Sequence, residues 1–139
     1  MTVAEKQEQL IRSINALGDC FDQYNYLIVR SNDLPPLPEE YRQDANLVKG
    51  CQSKVWLHMQ TNSDGSFHLD ADSDALILKG LLAIIAELVD GAPVAEVAAL
   101  EWNILNCTEL GATFTSARSA GMKQTLIIIS ETAKQMINA

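Results

Sequence analysis

The side chains best suited to nucleophilic or soft-ligand chemistry here are Cys20, Cys51, Cys107, His58 and His68. Cys51 has the most informative surroundings, Val48-Lys49-Gly50-Cys51-Gln52-Ser53-Lys54-Val55-Trp56. Gly50 stands between two strand-like runs, which predicts a turn at or beside Cys51, and glycine there allows close approach by another molecule. Lys49 and Lys54 flank the thiol in an otherwise acidic chain. Their charge favours thiolate, the form that attacks sulfur and binds metals. These residues alone leave two readings of Cys51 open: a presented, reactive thiol, or a small buried hydrophobe. Cys20 and Cys107 fall in stretches that read as helical and are expected to be packing residues. His58 and His68 lie on alternating segments with no Cys-x-x-Cys or His-x-x-x-His spacing, so they read as exposed strand histidines and not as a zinc pair.

The elements around Cys51 follow from apolar spacing. Leu10, Ile14 and Leu17 give a first helical face, stopped at Gly18, and Asp19 can cap the next helix. That second helix is predicted to place Phe21, Tyr24, Leu27 and Ile28 on one face, as core or docking side chains with Tyr26, and to end at Ser31-Asn32-Asp33. Leu34-Pro35-Pro36-Leu37-Pro38 cannot be helix interior and reads as an extended connector. Val55, Leu57 and Met59 alternate with Trp56, His58 and Gln60; Asn62 to Ser66 is a turn; Phe67 and Leu69 resume the alternation. With Leu47-Val48 as a further strand, a small antiparallel sheet of about three strands is expected. Asp72-Ser73-Asp74 opens an apolar helix, Leu76 to Val89, with Ser73 or Asp74 as its cap. A short helix through Leu100 follows Pro93, another is predicted over Glu101 to Leu110, and the last carries Met122, Leu126, Ile129, Ala133 and Met136 on one face. Segregated strands and helices imply an α+β fold, with helices covering one face of the sheet.

The whole composition narrows the function. A chain of 139 residues suits one domain spanning 1–139. Its net charge of −8 disfavours a phosphate backbone as partner, so no nucleic acid is expected. Met1 to Gln9 does not read as a secretory signal, and Leu76 to Val89 is shorter than the roughly 20 residues that cross a bilayer. Three widely spaced cysteines argue against a disulfide framework, for a reducing compartment and for a soluble cytoplasmic protein.

Four blocks together resemble one family. Gly50-Cys51-Gln52-Ser53-Lys54-Val55-Trp56 is similar to the Gly-Cys-Gln-Ser-x-Val-Trp signature of the SufE family of sulfur acceptors. Asp72-Ser73-Asp74-Ala75, leading into Lys79-Gly80-Leu81, resembles that family's Asp-Ser-Asp-Ala segment and Lys-Gly-Leu helix. Ser116-Ala117-Arg118-Ser119-Ala120-Gly121 resembles its motif near the last helix, and Leu34-Pro35-Pro36-Leu37 its connector. The chain departs from the family pattern at Cys20-Phe21, Ser31, Thr113 and Ser116. The resemblance implies that Cys51 takes persulfide sulfur from a cysteine desulfurase, stimulates that enzyme and delivers sulfur for iron–sulfur cluster assembly. It implies a carrier more than a turnover enzyme, with no cofactor of its own, since the desulfurase carries the pyridoxal phosphate. Implied partners are the desulfurase and an iron–sulfur scaffold; no membrane is involved, and the carrier is a monomer or weak homodimer. Gly50, Gln52, Ser53, Asp72, Ser73, Asp74 and Arg118 are the supporting loop or docking residues; capping is the alternative role for Asp72 and Asp74. It also implies an apolar recess for Cys51, to which Val55, Trp56 and the start of the last helix could contribute. Two other readings differ in what they require. A cluster scaffold of the IscU-like type needs three ligands at one point, and a cysteine-dependent thiol enzyme needs His58 or His68 within reach of Cys51.

Overall fold

Among the described residues, apolar spacing and caps set the boundaries of five helices and a hairpin. The computed structural model describes residues 1–49, 53–113 and 116–138, with the side chains of 112, 113 and 116–119 outside the description. Helix α1 spans Val3–Asn15 and α2 Cys20–Arg30; strands β1 (Val55–Thr61) and β2 (Phe67–Ser73) follow, then α3 (Leu76–Val89), α4 (Val94–Ala99) and α5 (Ser116–Ile137). Thr2 and Glu5 form a capping box at the start of α1, and the Asp19 side chain accepts from the Phe21 and Asp22 amides as expected. Among the described residues no helix is long and apolar enough to cross a membrane.

β1 and β2 pair antiparallel, with Val55 opposite Ser73 and Thr61 opposite Phe67. Their turn places Gly65 at φ 85°, a conformation glycine adopts without steric cost. Among the described residues the sheet has two strands and not three: Leu47 makes only an isolated bridge to Trp56, because 3-10 turns at Glu39–Tyr41 and Asp44–Asn46 curl the preceding chain away from extended geometry.

Strand alternation separates the sheet's two faces. Val55, Leu57, Phe67, Leu69 and Ala71 point into a core shared with Leu78, Leu81, Leu82 and Ile85 of α3 and Met122, Leu126 and Ile129 of α5. Helices therefore cover one face. The other face, bearing Trp56, His58, Asp70 and Asp72, is clad by the 39–48 segment, where Tyr41 stacks on His58 with ring centroids 3.6 Å apart. Helix α3 is buried along most of its length, and α2 crosses it so closely that a Cβ on Gly80 would lie 2.0 Å from the Leu27 carbonyl oxygen.

Three further expectations are corrected. No helix forms over 101–109; a 3-10 turn begins only at Leu110. Instead, Gln7 Oε1 accepts from the Asn103 and Ile104 amides, and Gln23 Oε1 accepts from the Glu109 amide. Side chains thus pair backbone amides of a segment without regular structure. The buried face of α2 carries Gln23 and Leu27, while Phe21 and Tyr24 are exposed. Helix α3 has Ala75 as N-cap with no side-chain cap bond, since Ser73 and Asp74 are engaged elsewhere.

Candidate functional site

The chain enters the cysteine segment through Val48 and leaves it through Val55, and these two residues are joined by a hydrogen bond from the Val48 amide to the Val55 carbonyl, 2.8 Å. Together with the Leu47–Trp56 bridge, this holds together the two ends of the chain on either side of residues 49–54. Lys49 and Lys54 are exposed, and Ser53 is half-buried. Gly50, Cys51 and Gln52 lie outside the described residues, as does the side chain of Arg118, whose backbone is in the first turn of α5.

The outgoing side of the loop is fixed by the end of β2. The Lys54 amide donates to Asp74 Oδ1 at 2.9 Å, and its carbonyl accepts from the Ser73 hydroxyl at 2.8 Å and from the Asp74 amide at 3.2 Å. Ser73 Oγ also accepts from the Ala75 amide, 3.1 Å. These two residues therefore grip a backbone unit three positions beyond Cys51, in place of the helix capping expected of them. Buried or half-buried backbone groups are costly when unpaired, so such bonds specify geometry as much as they stabilise it.

Asp72 is the centre of a second set of contacts. Its Oδ1 accepts from the Ser73 amide at 2.8 Å and lies 3.6 Å from Lys79 Nζ, and its Oδ2 accepts from Arg42 at 2.7 Å. The Arg42 guanidinium lies over the Trp56 ring, 4.6 Å from its centroid, and also meets Glu39 at 3.3 Å. The hydrogen bond that Arg42 donates to Asp72 raises the guanidinium's pKa above its ordinary value. Asp72, Ser73 and Asp74 are thus brought together around the loop's base with Lys54 and Trp56. Arg42 was not legible as part of this group: it follows a proline-rich connector with no periodicity, thirty residues from Asp72.

The remaining candidates sit elsewhere. His58 faces Asp70, with Nδ1 3.7 Å from Oδ2, and His68 lies between Asp70 at 3.1 Å and Asp90 at 2.7 Å. Their register is diagonal, since His58 opposes Asp70 and His68 opposes Gln60. Cys20 begins α2 and is half-buried, whereas Cys107 is exposed outside any helix, which corrects its reading as a packing residue. Among the described residues, no three His, Cys, Asp or Glu side chains converge as a metal ion would require.

Comparison with known proteins adds a family and a fold. The SufE profile, described as an Fe-S metabolism associated domain, matches residues 8–133. An uncharacterized SufE-like protein of Rhizobium etli is 37% identical over 131 residues, covering 91% of this chain and 88% of the relative. The solution structure of a hypothetical protein from Thermus thermophilus superposes with a TM-score of 0.82 at 18% identity, covering 100% of both chains, and so shares the fold.

Proposed function

Because this chain belongs to the SufE family, whose domain is associated with Fe–S metabolism, we propose that Cys51 is a persulfide acceptor serving a cysteine desulfurase. The chemistry is thiol–disulfide exchange applied to a persulfide. The Cys51 thiolate attacks the outer sulfur of the desulfurase's cysteine persulfide. A new S–S bond forms on Cys51, the old one breaks, and the donor cysteine leaves as thiolate. The donor's pyridoxal phosphate generates the persulfide, and this chain needs no cofactor of its own. Cys51 then passes sulfur to an iron–sulfur scaffold in the cytoplasm, and removing sulfur from the donor frees it for another turnover, which stimulates it.

The observation that carries this reading is the loop base. Val48, Val55, Ser73 and Asp74 hold both ends of a short, lysine-flanked segment at one end of the sheet, with Cys51 within it. A thiol meant only for packing needs no such framing. Intact-protein mass spectrometry tests the proposal after incubation with a cysteine desulfurase and cysteine. Added sulfur is expected on the wild-type chain, removed by reductant and missing from Cys51→Ser. Sulfur that persists in Cys51→Ser, or that no donor delivers, refutes it.

A further inference from the structure

We propose that Arg42 is a positioning residue for the Cys51 loop, acting through Asp72 and Trp56 to set the distance between the chain entering the loop and the strand leaving it; its catalytic consequence rests on Cys51 being the sulfur acceptor. Trp56 is where the two sides meet. The entering chain reaches it through the backbone bridge at Leu47, and Arg42, five residues before Leu47, covers its ring. The same guanidinium binds Asp72 at 2.7 Å, and Asp72 lies opposite Trp56 in the hairpin. Asp72 leads directly into Ser73 and Asp74, which hold the Lys54 backbone. One side chain therefore joins the segment before the loop, the strand after it and the carboxylate next to the loop's two anchors.

The chemistry asks for arginine. Its planar group can stack on an indole while its N–H groups donate sideways to a carboxylate, whereas a lysine ammonium offers a point charge. The arrangement contributes little to overall folding, because Arg42 is 30% exposed and solvent screens such a pair. Lys79 remains near Asp72 when Arg42 is removed, so the carboxylate keeps a cation. What is lost is the tie to Trp56 and hence the setting of the loop.

Two readouts on the full-length chain test this. The first is the ratio of Cys51 to Cys107 alkylation, resolved by peptide mass spectrometry, with exposed Cys107 as internal reference. Arg42→Met should shift that ratio about threefold or more, and Arg42→Lys should shift it less, since a misplaced reacting group changes rate while a charge alone restores only part of the geometry. The second is sulfur transfer from a desulfurase, where Arg42→Met should lower kcat by about tenfold with KM for the carrier nearly unchanged. Asp72→Asn should give a similar loss, and the double variant little more than either single one, as expected of residues acting as a unit. An unchanged alkylation ratio, an effect confined to KM, or additive losses overturns the positioning role. If the wild-type chain accepts no sulfur, the acceptor reading fails, and the alkylation ratio alone still decides whether Arg42 sets the loop.

Discussion

Ser73 and Asp74 show how much a single residue's role depends on what lies across from it. An Asp-Ser-Asp run before an apolar helix has the composition of an N-cap, yet its hydroxyl and carboxylate are spent on Lys54, nineteen and twenty residues earlier in the chain. The local pattern could not reveal this, because the partner is a backbone group brought near by hairpin register. The Cys51 block was legible for the opposite reason: its signal is a contiguous string. In the hairpin turn, Asp64 accepts from both the amide and hydroxyl of Ser66, at 2.9 and 2.6 Å, and the side-chain bond foremost holds its carboxyl below the ordinary value. A lowered folded-state pKa means that the turn's stabilisation is complete above the usual carboxylate range. It fades as pH falls through the lowered value. A carboxyl-carbon NMR titration should therefore place Asp64 below a model aspartate in wild type and nearer to it in Ser66→Ala; an identical midpoint in both would contradict the assignment.

At the scale of elements, the strands and most helices followed from spacing, while α2 buried Leu27 and packed Ile28 against the core as assigned but exposed Phe21 and Tyr24. Gln23 on α2 and Ser31 just past its end are buried and hydrogen-bonded, so the inward face is not purely apolar. The segment 101–109, which spacing read as helix, likewise has its backbone bound by glutamines on α1 and α2. Gly80 carries the α2–α3 crossing. Substitution by alanine would gain about 1 kcal/mol of helix propensity and lose more to overpacking, because the atom it meets is a backbone oxygen that cannot swing aside. Gly80→Ala should therefore be destabilised by roughly 1–3 kcal/mol, read as a lower denaturant midpoint with unchanged slope. A midpoint at or above wild type would mean that the helices can separate without cost.

Over the whole molecule, the segment from Glu101 to Glu109 is secured by polar side chains more than by regular structure. Gln7 makes three bonds to it, Gln23 adds one at Glu109, and the Asn15 amide donates to the Cys107 carbonyl. Truncating Gln7 to alanine leaves two amides and a carbonyl without partners, at about 1–3 kcal/mol per buried group. Hydrogen exchange should then accelerate at Asn103 and Ile104 while the amides of α3 keep their protection, which would mark the segment as a separate opening unit. Uniform acceleration throughout the chain would instead tie it to global unfolding.

The bond between Val48 and Val55 has a consequence for encounter geometry. Cys51 is three residues from Val48, and an extended chain advances at most about 3.3–3.6 Å per residue, so its Cα lies within about 11 Å of the Val48 Cα. A tether so short cannot search for a reactant in a deep cleft. Any molecule reacting with this thiol therefore has to bring its own reactive atom close to that end of the hairpin.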